Sequence, residues 1–294
     1  MTINAGVLTL TSMLALSAQS APSTTPLDRV LEQAAAAHAS GHDDDAIRTL
    51  TEGAERLHSA RCWMTLAGLL ADRHDPAALV SLDKALALAP NSEEVIATYA
   101  RVAIAAGRTP AAIGKLQPLV RMFPADAGYR YLLGVAYLDV NDPRAADTLA
   151  DADRLEPNRP QTLIALGVAR NRAKQYADAI PVLQHGLELA GGQTDARAAL
   201  AEAQQGAGQV PAAEANARGV LAVAPDNPTA NLVLGMILLG QNDAAGARAA
   251  LERAVAKAPT SAKALYQLSL ACTRLGDTAA AQQHLREYRK ALGQ

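Results

Sequence analysis

The sequence predicts an all-α fold, a solenoid of about eight helix-turn-helix units, and three observations predict it. Prolines recur at a nearly constant interval: Pro90 to Pro124 is thirty-four residues, Pro124 to Pro157 thirty-three, Pro157 to Pro225 twice thirty-four, and Pro225 to Pro259 thirty-four. Between them, apolar residues follow helical spacing; Ala247, Leu251 and Ala254 recur at four and three residues while Arg248, Glu252 and Arg253 point elsewhere. Finally, 50% of residues are hydrophobic but only 3% aromatic, with one Phe and one Trp, so the interior is Ala, Leu and Val at short interhelical distances.

One period shows the unit most clearly. In Pro228–Ser261, Asn227 can cap a first helix, Pro228 suits its opening turn, Gly240 to Asp243 break it, and Pro259 stops a second helix. Gly235 and Ala247 are small where two helices would cross, with Leu234 and Leu251 beside them. Neither helix could bury its apolar face alone. With Leu234, Gly235, Ala247 and Pro259 in these places, the unit resembles the tetratricopeptide repeat, a helix-turn-helix of the same length. The resemblance implies units stacked into a right-handed superhelix with a concave inner surface.

Taken in order, residues 1–26 read as a signal peptide and leader, and 27–294 as the array, with units at about 27–58, 59–93, 94–126, 127–159, 160–193, 194–227, 228–261 and 262–294. The first has Gly41 between its helices and Ala46 at the small crossing position; the second has Trp63, Leu66, Ala67, Ala78, Leu82 and Pro90. The third carries Tyr99, Ala100, Gly107, Ala112, Leu116 and Pro124, the fourth Leu133, Gly134, Tyr137, Ala146 and Pro157. In the fifth, Leu166, Gly167, Ala179 and Leu183 fit, and Gly191 and Gly192 replace the closing proline. The sixth is alanine-rich, with Ala217 where a large apolar residue is expected, and should be the softest. The last unit has Leu268, Gly276, Ala281 and Leu285, and its Gln, Arg and Lys residues suit a solvated cap.

The run from Gly6 to Ala18 is apolar and uncharged, and Ser17, Ala18, Ser20 and Ala21 are small, as in an export signal; no Lys or Arg precedes it. It is short for a membrane span, which needs about 20 residues. The expected location is therefore periplasmic or secreted, without stable membrane insertion after signal removal, and the alternative is cytoplasmic. A formal net charge of −2 with mixed signs offers no basic footprint for nucleic acid. Cys62 and Cys272 fall at opposite ends of the expected array, too distant for a disulfide, and read as small buried hydrophobes.

Local catalytic and nucleotide-binding signatures are lacking: GRTPAAIGKL has the wrong spacing for a phosphate loop and Leu116 in place of a hydroxyl. No enzyme, cofactor or metal site is expected. His38 and His42 stand four apart before Asp43, Asp44 and Asp45, but Gly41 breaks the helix that would align them, and the Asp run suits a helix N-terminus. Arg170, Arg172 and Lys174 likewise suit a helix C-terminus.

What the resemblance implies about function is partner binding by the first helix of each unit. Its groove positions fall on Met64, Arg101, Tyr131, Val135, Leu138, Ile164, Val168, Asn171 and Arg172, then Glu202, Gln205, Leu232, Met236, Leu239, Tyr266, Leu270 and Arg274. Neither the basic clamp nor the Asn ladder that some members use for peptides is found at these positions. A largely apolar lining remains, suited to an apolar helix or hydrophobic peptide with Tyr131 and Tyr266 as anchors, or else packed against neighbouring inner helices. The expected function is a non-catalytic scaffold for a protein or peptide partner, assisting an envelope or secretion complex. The alternatives are a cytosolic adaptor or co-chaperone, an enzyme with a dispersed site, and self-association through exposed helix faces.

Overall fold

A computed structural model describes residues 25–293, and the described residues form sixteen α-helices and no strand. They divide into two compact units, one ending at Leu155 and the other starting at Glu156. The first holds α1 (Pro26–Ala39), α2 (Asp43–Leu57), α3 (Ala60–Asp72), α4 (Ala77–Leu88), α5 (Glu93–Ala105), α6 (Thr109–Met122), α7 (Ala127–Asp139) and α8 (Ala145–Leu155). The second holds α9 (Pro160–Arg172), α10 (Tyr176–Ala190), α11 (Thr194–Gly206), α12 (Val210–Val223), α13 (Pro228–Gly240), α14 (Ala244–Lys257), α15 (Ala262–Arg274) and α16 (Thr278–Ala291). Within each unit, helices pair in chain order and the first helix of one pair also touches the first helix of the next. The expected leader lies outside the described residues except for Thr25 and Pro26, which open α1. Among the described residues no helix is long and apolar enough to cross a membrane.

The start of seven of the eight pairs follows from its residues, α11 being the exception. Thr25, Ser59, Ser92, Asp126, Asn227 and Ser261 accept a hydrogen bond from the amide three residues on, satisfying one of the donors that a helix start leaves open. Pro160 and Pro228 stand in the first turn, where no amide is needed.

Every first helix ends in the same turn. Gly41, His74, Gly107, Asn141, Lys174, Gly208, Asn242 and Gly276 all have positive φ, between 55 and 77°. The next residue's amide reaches back five residues, from His42 to Ala37 O through Asp277 to Cys272 O, at 2.7–3.0 Å. These bonds occupy carbonyls that the helix end would leave open. Only four of the eight residues are glycine; the left-handed conformation is imposed on His74 and Lys174 by the turn's hydrogen bonds.

Second helices stop differently. α4, α6, α8, α12 and α14 each end two residues before the closing proline of their unit. The intervening Ala89, Phe123, Ala224 and Ala258 share φ between −138 and −122° and ψ between 69 and 80°. A following proline ring disfavours helical backbone at the residue before it, which produces this shared exit. α10 lacks that proline and stops at Gly191 with φ 71°.

The packing core of each pair is one leucine from the second helix set against a small residue of the first. Leu50, Leu82, Leu116, Leu149, Leu183 and Leu251 are all fully buried. Their counterparts, fifteen or sixteen residues earlier, are Ala34, Ala67, Ala100, Gly134, Gly167 and Gly235. A Cβ added to Gly134, Gly167 or Gly235 would stand 2.6, 2.3 or 2.5 Å from the Cγ of Leu149, Leu183 or Leu251. Leu234, expected beside this contact, is only half-buried. In the α15–α16 pair Leu285 takes the leucine's place and is half-buried; among the described residues no further pair stacks on it.

The α11–α12 pair is the exception. Ala217 replaces the leucine, in a buried cluster of Ala198, Ala201, Ala213 and Val220 with Ala230, Val233 and Ile237 of α13. Each missing carbon forgoes about 0.8 kcal/mol of burial. Side-chain bonds link the two helices instead: Arg197 Nε donates to Asn216 Oδ1 at 3.0 Å, and Asn216 Nδ2 to Gln204 Oε1 at 2.8 Å.

Two glycines of α13 should therefore answer oppositely to alanine. Gly240 is exposed with nothing near its added Cβ, so Gly240→Ala should stabilise by a few tenths to about 1 kcal/mol through unfolded-state entropy. Gly235→Ala should destabilise by about 1–3 kcal/mol, because Leu251 must move. Urea unfolding of both variants gives the two signs directly.

Candidate partner-binding surface

The first helices bury far more than one face. In α3 every residue from Cys62 to Leu70 is buried, in α7 every residue from Leu132 to Leu138, and in α9 every residue from Thr162 to Ala169. A helix with apolar residues all round is a buried helix. At Met64, Val135, Leu138, Ile164, Val168, Leu232 and Leu239 the expected apolar lining is accordingly buried side chain rather than open surface. The physical reason is the contact between successive first helices, added to the contact each makes with its own second helix.

The expected positions that keep some exposure are more polar. In the first unit, Arg101 on α5 and Tyr131 on α7 are half-buried. In the second, Glu202, Gln205, Met236 and Leu270 are half-buried, and Arg172, Tyr266 and Arg274 are exposed. Tyr266 retains 47% of its surface and turns its ring to Tyr288 of α16, with centroids 5.5 Å apart. Met236 packs at the edge of the cluster formed by Leu232, Leu251 and Leu268.

Two of the expected polar positions join neighbouring first helices. Asn171 is buried and its Nδ2 donates to Ala199 O of α11 at 2.8 Å, while its Oδ1 has no partner. Arg274 donates through Nη1 to Leu239 O near the end of α13, where a cation is favourable; the same carbonyl also accepts from Asn242 N at 3.2 Å. Carried-over spacing placed both residues on the right helices but could not say that a backbone carbonyl faces them. Asn231, not expected from the sequence, is also fully buried; its Nδ2 holds Pro225 O at 2.8 Å and Asn227 O at 3.0 Å, which ties α13 to the segment entering it.

In the first unit two expected or neighbouring polar groups stand on α5 and α7. Arg101 donates to Thr98 Oγ1 at 3.0 Å, and burial pulls its guanidinium below the usual range, against the pull of Glu94. Tyr129 donates its hydroxyl to Glu93 Oε2 at 3.0 Å. Burial first, and the Glu93 carboxylate second, push that phenol up to about 12.

The His38 and Asp run has a local explanation. His38 Nδ1 lies 2.6 Å from Asp43 Oδ1 across the Gly41 turn, and Asp43, Asp44 and Asp45 all fall in the first turn of α2. Among the described residues no group of three or more His, Cys, Asp and Glu could hold a metal ion. Arg170, in the last turn of α9, donates to Asp178 O in the first turn of α10 at 3.0 Å and so joins the two helices. Cys62 and Cys272 are buried free thiols, both pushed up by burial.

Helix pairs on one register, with a limited set of accessible side chains on the first helices, define a helical-repeat protein-interaction scaffold. Tetratricopeptide repeat models match residues 198–262 and 235–294, and another matches residues 69–136, together more than half of the sequence. The chain belongs to the tetratricopeptide repeat family.

Solved structures agree on the fold. A tetratricopeptide repeat protein from Parabacteroides merdae is similar with a TM-score of 0.66 at 14% identity, over 83% of this chain and 98% of that one. The APC/C hetero-tetramer Cut9–Hcn1 is similar with a TM-score of 0.59 at 16% identity, over 98% of this chain and 58% of that one. A human IFIT1 dimer with PPP-AAAA has a TM-score of 0.59 at 16% identity, over 97% and 70%. At these identities the likeness is one of fold. No curated protein sequence matches this chain.

One electrostatic expectation can be checked at Tyr129. Glu93→Gln removes the neighbouring charge but leaves the burial, so the phenol should ionise at lower pH than in the native protein while staying above about 10. The chemical shift of Tyr129 Cζ, followed as pH rises to 11, should begin to move in the variant while the native signal stays flat.

Proposed function

We propose that this chain is a non-catalytic scaffold that holds a protein or peptide segment against the accessible side chains of its first helices. The observation that carries the reading is the arrangement itself: Arg101 and Tyr131 in one unit, and Met236, Leu270 and Tyr266 in the other, are among the expected groove positions with side-chain surface left. Large side chains of this kind, edged by apolar atoms, are the usual anchors of partner segments. A suitable partner presents an apolar or aromatic residue and, toward Arg101, an acidic one.

The scaffold acts outside the cytoplasm, in the assembly of an envelope or secretion complex. The apolar, uncharged Gly6 to Ala18 run with small residues after it supports export. The missing basic residue ahead of that run favours the second reading, a cytosolic adaptor. N-terminal mass analysis of the chain from fractionated native cells separates them: export requires cleavage near Ala18 to Ala21 and recovery outside the cytoplasm, and the adaptor requires an intact start in the cytosol.

Photo-crosslinking tests the surface. A photoreactive residue at position 131 or 236 should give partner adducts in native cells, while one at the exposed Arg253 should give none. With the cross-linked partner purified, Tyr131→Ala together with Met236→Ala should weaken binding about tenfold or more at unchanged helicity. Equal cross-linking at all three positions contradicts the assignment.

A further inference from the structure

In the second unit an ion pair crosses a whole repeat. Lys263 Nζ at the start of α15 lies 2.9 Å from Glu202 Oε1 in the middle of α11. Between these helices stands α13, which touches both. The partners are sixty-one residues apart and partly screened from water, Lys263 at 39% and Glu202 at 27% side-chain exposure.

The distance constrains the curvature. First helices packed about 9 Å apart in a flat row would put the axes of α11 and α15 roughly 18 Å apart. A lysine reaching about 6 Å from its backbone, a glutamate reaching about 5 Å, a hydrogen bond of about 3 Å and two backbone radii of about 2.3 Å only just cover that span, and only along the straight line that α13 occupies. The bond therefore forms only when the three helices bend toward the side that carries Glu202 and Lys263. On that side Leu232 is buried and Met236 half-buried, both on the helix that is spanned.

We propose that Lys263 and Glu202 form a clasp that holds the inner side of the α11–α15 segment in its closed curvature, and that a partner entering there must part them. A half-exposed pair is weak enough to be parted by a ligand, since surrounding water and salt screen much of its attraction. The clasp takes its use from the scaffold reading, but its existence does not depend on it.

The test reads curvature with no partner present, so its failure leaves the scaffold reading standing. Ala207 and Leu275 are exposed and occupy equivalent places after α11 and α15. Spin labels on Ala207→Cys and Leu275→Cys, in the full chain with Cys62→Ala and Cys272→Ala, report the separation of the two helices. Circular dichroism checks that each variant is folded. Lys263→Glu sets like charges against each other and should lengthen the separation by several ångströms, Lys263→Gln should lengthen it less, and the reversed pair Glu202→Lys with Lys263→Glu should restore the native value. An unchanged separation in Lys263→Glu, or a lengthening that the reversed pair retains, overturns the clasp.

Discussion

The contact on which the rest depends is a leucine of each second helix pressed onto a small residue of the first. At Gly134, Gly167 and Gly235 the leucine occupies the space that a side chain would need. That contact fixes how closely two helices approach and how they are rotated, because only one face of each can offer the notch and the knob. Once a pair is fixed, its exposed flank is apolar and demands a neighbour. Stacking follows from the same burial that joins the pair.

Backbone chemistry makes the stacking regular. Two kinds of helix stop alternate: a left-handed turn after each first helix and, after most second helices, an extended residue held by a following proline. One kind turns the chain back within a pair, and the other leads it into the next. Because each is defined by local hydrogen bonds or ring sterics, neither depends on distant contacts. The same spacing brings an equivalent first-helix position round about thirty-four residues later, while its residue type changes, as from Arg101 to Val135 or from Glu202 to Met236.

Much of the fold was legible because its determinants are residue types at fixed intervals. Prolines, glycines in four of the turns, and the leucines fixed the register. Of the other four turns, the Gly240 to Asp243 break contains Asn242, whereas those at His74, Asn141 and Lys174 were not legible, because these residues carry no obligatory mark of a left-handed backbone. The surface was less legible. Spacing can place Met64 or Val135 on a first helix, but whether that position is open depends on how closely the next first helix approaches, which is set by packing across repeats. Asn171 and Arg274 illustrate the same limit: their use as links to the carbonyls of Ala199 and Leu239 is a property of the stack.

The most direct measurement is a double-mutant cycle on Gly235 and Leu251. Leu251→Ala alone should cost about 2–5 kcal/mol as a buried large-to-small change. In a Gly235→Ala background the same truncation should cost at least about 1 kcal/mol less, because removing the leucine also removes its clash with the new Cβ. Strictly additive losses would mean that the two residues do not share one space, and would contradict the contact on which the account of this fold rests.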